Sequence, residues 1–288
     1  MALTDNKSAN LATKYEPQLA QAYTKASVLQ GKVNTQYNWN GVASINILTA
    51  ITQPLNDYAL KGTDDHGGNR YGEPKELDDS KQVLTITQDK SFAMTIDTLN
   101  YDDQMKAKKT GEVTKAEIGE QVVPFFDKYA LGAWVKAAGQ KSSITAAVTK
   151  DSVLEMCVDA RKKFVNANIP MSSDNNFAYF TTTAYSFLLM NPQFISVEKL
   201  GNVILTNGEV GKCMGFRIVE VPDDYLGTTQ ALFVHKKAVL APTKLNELKV
   251  HDNPQGISGR LIEGRYRGDA FVLDVYKKGV LASTIVGG

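Results

Sequence analysis

KQVLTITQDKSFAMTID (residues 81–97), TLNYDDQ (98–104) and GEVTKAEIGEQVVPFFDKYALGAWVKAA (111–138) form the stretch on which the reading of this chain turns. The first piece is strand-like: Val83-Leu84-Thr85-Ile86-Thr87 and then Phe92, Met94 and Ile96 at period two. The second is a polar, acidic stop. The third predicts a long amphipathic helix, with Ile118, Val122, Phe125, Tyr129 and Val135 as its apolar face. Pro124 lies inside it, and a mid-helix proline loses one backbone bond and bends the rod. A long bent helix fed by strands is a structural spine, the layout of a building block rather than of an active site.

Toward the C-terminus, residues 149–169 predict a second helix. Ser152 with Glu155 fits a capping box, Val153, Met156, Cys157, Ala160 and Phe164 make a buried stripe, and Asn168-Ile169-Pro170 ends it. Phe177–Thr182 reads as a buried strand and Ala184–Met190 as a short helix. Residues 203–205 and 215–221, with a turn at Asn207-Gly208, suggest a hairpin. Further strands are expected at 230–234, 245–251, 259–267 and 269–276. Helices and strands mix without regular alternation, which argues for an α+β class.

Toward the N-terminus, residues 56–80 are rich in Gly, Asp and Asn and poor in core candidates. A loop of about 25 residues without a core of its own is unusual in a compact domain. Strand-like residues flank it, at 36–52 and from Val83, so it reads as a long two-stranded projection. Within 36–52 the aromatics of Gln36-Tyr37-Asn38-Trp39-Asn40 alternate as in a strand. Residues 1–35 read as a polar arm with one stripe, Leu11, Tyr15, Leu19 and Tyr23, which must pack on its own domain or on a partner.

Composition excludes several classes. The 288 residues carry 32 Lys+Arg against 31 Asp+Glu, a net charge of +1, so whole-chain electrostatics make no case for nucleic-acid binding. Two cysteines, Cys157 and Cys213, make no disulfide framework and read as buried reduced thiols of a cytoplasmically made protein. The N-terminus has no apolar signal core, and no stretch approaches the roughly 20 apolar residues of a membrane span. A soluble chain outside the usual secretion route is expected.

The search for chemistry returns little. His66, His235 and His251 have no metal-ligand spacing. His66 beside Asp64 and Asp65 reads better as a solvated loop than as an ion site, and His235 as a structural histidine at a strand end. Gly208-Glu209-Val210-Gly211-Lys212 lacks the spacing of a phosphate loop and sits in a hairpin. The carboxylate pairs Asp78-Asp79, Asp102-Asp103 and Asp223-Asp224 sit in turns or helix starts. The basic clusters Lys106-Lys108-Lys109, Arg161-Lys162-Lys163 and Arg260-Arg265-Arg267 read as solvated faces first, and as contacts to nucleic acid or a partner's carboxylates second. No residue is assigned as catalytic, cofactor-binding or metal-ligating, and no cofactor is expected.

The order of elements resembles the major capsid proteins of tailed bacteriophages, of the Hong Kong type fold, especially those of siphophages and prophages of Gram-positive hosts. KYEPQLAQAYTKASVL (14–29) resembles the family's N-terminal arm and SFAMTIDTLNYDDQM (91–105) the return of its extended loop. EIGEQVVPFFDKYALGAW (117–134) resembles the spine helix and VLEMCVDARKKFVNANIP (153–170) the first helix of the axial domain. GKCMGFRIVEVP (211–222) and ALFVHKKAVLAP (231–242) resemble later axial strands, and GRYRGDAFVLDVYKKGVLA (264–282) the closing strand of the peripheral domain.

The resemblance implies a phage capsid fold: an arm at 1–35, first peripheral strands at 36–54, an extended β-hairpin loop at 55–92, and a peripheral domain with the spine helix at 93–140. An axial domain at 141–243 and peripheral return strands at 244–288 complete it. It implies a non-enzymatic major capsid protein that self-assembles as hexamers and pentamers into an icosahedral shell around double-stranded DNA, bound without sequence specificity. Scaffolding, portal and decoration proteins are the further partners, no membrane is involved, and the protein is made in the host bacterial cytoplasm and resides in the virion. Some relatives crosslink Lys to Asn between subunits; Lys61, Lys75, Lys81 and Lys90 lie in or near the loop. A long N-terminal scaffolding segment is not evident, so a mature chain or separate scaffolding is expected. The alternatives are an encapsulin-type cargo shell on the same fold, distinguished by protein cargo instead of DNA, and a soluble enzyme with no recognisable motif.

Overall fold

The computed structural model describes residues 27–39, 42, 44–50, 52–58, 70–72, 74–76, 79–97, 110–144, 148–171, 174–191 and 209–285. The arm stripe, His66, Lys61, Lys106-Lys108-Lys109, Asp102-Asp103 and the Asn207-Gly208 turn lie outside them. The described residues divide into two compact units. The smaller holds Ser27, 89–97, 110–125 and 245–266, and the larger holds the rest.

The larger unit is built on a six-stranded sheet. Its strands are β4 (Gln140–Ile144), β5 (Asn176–Thr181), β6 (Glu209–Cys213), β7 (Phe216–Val221), β8 (Thr229–His235) and β13 (Val280–Ile285), in the order β4-β13-β8-β5-β7-β6. β13 runs parallel to β4 and β5 parallel to β7; the other pairs are antiparallel. Both faces are covered, so alternate residues feed opposite cores. Phe177, Tyr179, Val219, Val221, Leu232, Val234, Val280 and Ala282 meet one cluster. Ala178, Phe180, Phe216, Ile218, Ala231, Phe233 and Leu281 meet the other.

The first cluster is closed by the expected spine. Helix α1 (Thr110–Glu117) runs into a π-helical segment (Ile118–Val122) and then into α2 (Val123–Ala137). Pro124 has no N–H to give, and a π segment directly before it frees the carbonyls its ring would strike. The apolar face differs from the expected one. Ala130, Leu131 and Trp134 are buried with Asp127, whereas Phe125 is exposed and Tyr129 and Val135 only half-buried. Asp127 is buried because its carboxylate accepts the Val28 amide at 2.9 Å, tying the 28–39 segment to α2. That segment continues with Asn34, whose amide donates to the Val239 carbonyl at 2.9 Å and whose side chain donates to that of Lys237 at 3.1 Å. Residues 36–39 are not a strand, contrary to their alternation. Trp39 instead stacks flat on Phe271, with centroids 5.6 Å apart.

The second cluster is closed by α3 (Lys150–Asn166) and α4 (Thr182–Leu189). The stripe Val153, Met156, Cys157, Ala160, Phe164 is buried as expected. The capping box sits three residues earlier than expected: the Thr149 hydroxyl accepts from the Ser152 amide, and the Ser152 hydroxyl accepts from the Thr149 amide. Asn168 takes positive φ just beyond the helix. Residues 203–208 of the expected hairpin lie outside the described residues; β7 pairs with β6 through a turn at Met214 and Gly215, both at positive φ as a two-residue turn of this hand requires.

Two small sheets complete the larger unit. β1 (Ser44–Ala50) and β2 (Asp79–Thr85) pair antiparallel from Ser44↔Thr85 to Ala50↔Asp79. β9 (Val239–Leu240) pairs with β12 (Phe271–Val272). The expected strand at 269–276 is therefore only two residues long, followed by a 3₁₀ segment, Asp274–Gly279. β4 was not expected as a strand, and β13 falls in the stretch that the resemblance gave to return strands. The smaller unit is a sheet of β10 (Thr243–Asp252), β11 (Gly259–Gly268) and β3 (Gln88–Asp97), in that order. The run 81–97 is thus two strands in two sheets, parted at Ile86 and Thr87. Phe92 stacks on Tyr266 at 6.2 Å and covers Gly264, where any side chain would collide with its ring.

Candidate assembly surfaces

β1 and β2 alternate in burial. Ile45, Ile47 and Leu84 face a cluster with Trp39, Ile86, Leu240 and Leu273. The opposite face carries Asn46, Leu48, Lys81, Val83 and Thr85. Leu48 is 66% exposed and Val83 57%. Asn46 pairs with Val83 and Leu48 with Lys81, so Leu48 and Val83 are diagonal neighbours within side-chain reach. Farther out, Leu55 is fully exposed, and Tyr58 meets Tyr71 edge-on at 5.1 Å with both rings open to solvent. The side amide of Asn56 reaches the Tyr71 carbonyl at 3.5 Å. Single exposed apolar residues are ordinary, but Leu48 and Val83 together on one ribbon, with Leu55, Tyr58 and Tyr71 in the segments beyond it, make a candidate docking surface.

The base of this ribbon is held firmly. Gln82 donates to the Val272 carbonyl and accepts from the Asp274 amide, each at 3.0 Å. Asp269, 7% exposed, accepts the Thr87 amide at 2.7 Å, the Thr87 hydroxyl at 2.8 Å, the Tyr129 hydroxyl at 2.9 Å and its own neighbour's amide, Ala270, at 2.8 Å. Burial and the Asp269 hydrogen bond raise the Tyr129 phenol above its ordinary value, which keeps it a donor. Asp269→Asn puts N–H groups where only acceptors serve. It is expected to cost about 1–3 kcal/mol, read as a lower urea midpoint at unchanged slope. An unchanged midpoint would remove Asp269 from this role.

The smaller unit's sheet carries exposed ion pairs. Arg265 grips Asp89 with two bonds, 3.0 and 2.6 Å; Lys249 meets Glu247 at 2.9 Å, His251 meets Glu263 at 3.3 Å, and Arg260 meets Asp252 at 2.9 Å. These pairs are exposed and set side-chain geometry rather than stability. A shallow depression of about 340 Å³ lies among Ser91, Phe92, Glu247, Glu263 and Arg265. Lys90 lies over the Phe125 ring at 5.1 Å, which accounts for that ring at an exposed position.

The expected candidates are dispersed. Arg161 donates to the Met214 carbonyl at 2.7 Å, Lys163 pairs with Asp159 at 2.8 Å, and Arg267 reaches the Ile86 carbonyl at 3.5 Å. Asp223 accepts the Thr183 amide at 3.1 Å and hydroxyl at 2.8 Å at the start of α4, as the helix dipole favours, and Asp224 pairs with Lys128 at 2.8 Å. Among the described residues no three His, Cys, Asp or Glu side chains gather as a metal site. Lys75 and Lys81 are exposed. The Leu48–Val83 face was missed in the sequence, although both residues are apolar in the solvent phase of their strands.

His235 ends β8, and its Nδ1 accepts the Lys237 amide at 3.3 Å. Burial, then the Lys237 charge, holds its imidazole below the ordinary range. An unfolded histidine titrates near about pH 6.5, so below that pH the unfolded chain takes a proton that the folded chain resists. The contribution is complete above about pH 6.5 and is lost as pH falls toward the folded value. Wild type is therefore expected to lose melting temperature more steeply than His235→Gln between roughly pH 6.5 and 5. Parallel profiles would contradict this.

No protein-family model and no curated protein sequence matches the chain. Solved structures do. The capsid structure of the cyanophage P-SCSP1u matches with TM-score 0.74 at 15% identity, over 97% of this chain and 94% of that one. A chain of Mycobacterium phage Che8 matches at 0.70 and 17% identity, over 96% and 97%. The capsid of the native GTA particle matches at 0.65 and 10% identity, over 100% and 99%. At such identities the likeness is one of fold. The chain has the α+β phage capsid fold along its length, as the resemblance implied.

Proposed function

We propose that this chain is a major capsid protein, a non-enzymatic subunit that self-assembles into an icosahedral shell around double-stranded DNA and resides in a virion. The observation that carries this is the full-length likeness of fold, near-complete in both directions, to phage capsid chains. The Leu48–Val83 face supports it, since a ribbon fixed at its base with an apolar outer face suits burial against a neighbouring copy. In this reading 1–35 is an arm, 55–92 an extended loop, 141–243 an axial domain, and 36–54, 93–140 and 244–288 the peripheral domain. Hexamers and pentamers gain strength from several interfaces per subunit. DNA is held without sequence specificity, scaffolding, portal and decoration proteins are the further partners, and synthesis is in the host bacterial cytoplasm.

Size-exclusion chromatography with negative-stain microscopy tests the reading. Closed shells, or pentameric and hexameric capsomers, are expected, and DNA rather than protein cargo in particles from infected cells. A chain that stays monomeric with scaffolding and crowding agents present would overturn it.

A further inference from the structure

Helix α3 and the β6–β7 hairpin bring the two cysteines of the chain together. Cys157 is 1% exposed and Cys213 4%, both are free, and both belong to the same core cluster. Arg161, one turn beyond Cys157, donates at 2.7 Å to the carbonyl of Met214, the residue after Cys213. Phe164, two turns beyond Cys157, meets Phe216 edge-on at 5.1 Å, and Phe216 is the cross-strand partner of Cys213. The Phe164–Phe216 contact and the Arg161–Met214 bond set the helix that carries Cys157 against the strand that carries Cys213. Among the described residues Cys213 lies on the outermost strand of its sheet, beside the exposed Met214-Gly215 turn, where a small neutral oxidant can arrive.

We propose that Cys157 and Cys213 are a modification site, forming an intramolecular disulfide when the protein meets hydrogen peroxide. The Cys213 sulfur attacks one peroxide oxygen, the O–O bond breaks, and a sulfenic acid and one water result. The Cys157 sulfur then gives up its proton, attacks the sulfenic sulfur and displaces hydroxide, which leaves as the second water. Two thiols lose two electrons and two protons, and the peroxide takes both. Cys213 adjoins the exposed Met214-Gly215 turn, and the neighbouring Cys157 thiol holds it below its ordinary value while Cys213 and burial push Cys157 up, so Cys213 attacks first. The bridge fastens α3 to the edge hairpin, and the idea stands apart from the shell reading.

The full chain is reduced, desalted, treated with hydrogen peroxide, quenched with catalase and denatured for thiol titration, intact mass and a non-reducing peptide map. Both titratable thiols are expected to vanish, with the mass falling by two hydrogens. A linked 157–213 peptide pair that dithiothreitol separates should appear. Cys157→Ala is expected to stop at a dimedone-reactive sulfenic acid on Cys213. Two persistent thiols at a peroxide dose that fully oxidises free cysteine would overturn the proposal. So would thiols lost with oxygen gained, or disulfides that join two chains.

Discussion

Trp134→Ala is expected to remove about 3–5 kcal/mol of folding free energy from the larger unit. The indole is fully buried, its ring centroid is 6.3 Å from that of Tyr179 at the centre of the sheet, and its N–H donates to the Leu240 carbonyl at 3.3 Å. Alanine forfeits the transfer term, leaves a cavity that two layers cannot both relax into, and strands a buried carbonyl. Domains are typically stable by about 5–15 kcal/mol, so this is a large fraction. A fall of roughly 10 °C in melting temperature follows for a unit of this size. Trp134→Phe keeps much of the volume and loses the hydrogen bond, and belongs between wild type and alanine. Calorimetry on the three proteins checks the order; a loss under about 1 kcal/mol for alanine would mean that the spine is not anchored here.

The second large effect separates folding from assembly. Leu48→Asp combined with Val83→Asp places two carboxylates on the exposed face of the ribbon, leaving Ile45, Ile47 and Leu84 beneath it untouched. Surface changes of this kind shift stability within about 0.5 kcal/mol, so the melting curve of the free subunit should barely move. Burying an unpaired carboxylate against a neighbour costs several kcal/mol after relaxation, and a shell repeats that cost at every copy. Particle yield is expected to fall by at least about 100-fold, since 1.4 kcal/mol is already a factor of ten at each contact. Sedimentation and microscopy of the double variant beside wild type measure it. Shells at wild-type yield would exclude this face from subunit contacts.

Where a single physical rule acted, the sequence was readable. The α3 stripe repeats at three and four residues and packs on one face, so periodicity found all five of its buried members. β5 is an unbroken buried run in the middle of a sheet covered on both sides, and it read as one. Reading failed where distant partners decide. The π segment at Ile118–Val122 takes more residues per turn than an α-helix, so a face extrapolated across it at 3.6 residues lands out of phase. Asp127 is buried because of an amide 99 positions away. Asp269, expected to open a strand, instead gathers donors from Thr87 and Tyr129, and the strand expected there shrinks to Phe271–Val272. The exposed ribbon was legible as two strands flanking a polar loop, but its apolar outer face shows only once the register is known.

The place of β13 has a consequence for synthesis. This strand inserts between β4 and β8, with Val280 to Ser283 buried, although its residues are made long after either neighbour. Until residue 285 has left the ribosome, β4 and β8 face each other across a vacant slot, with open edges that could pair with other chains. Translation therefore sets a clock: a half-made chain has no finished sheet, and a stalled or nicked chain lacking 280–285 keeps both edges open to aggregation.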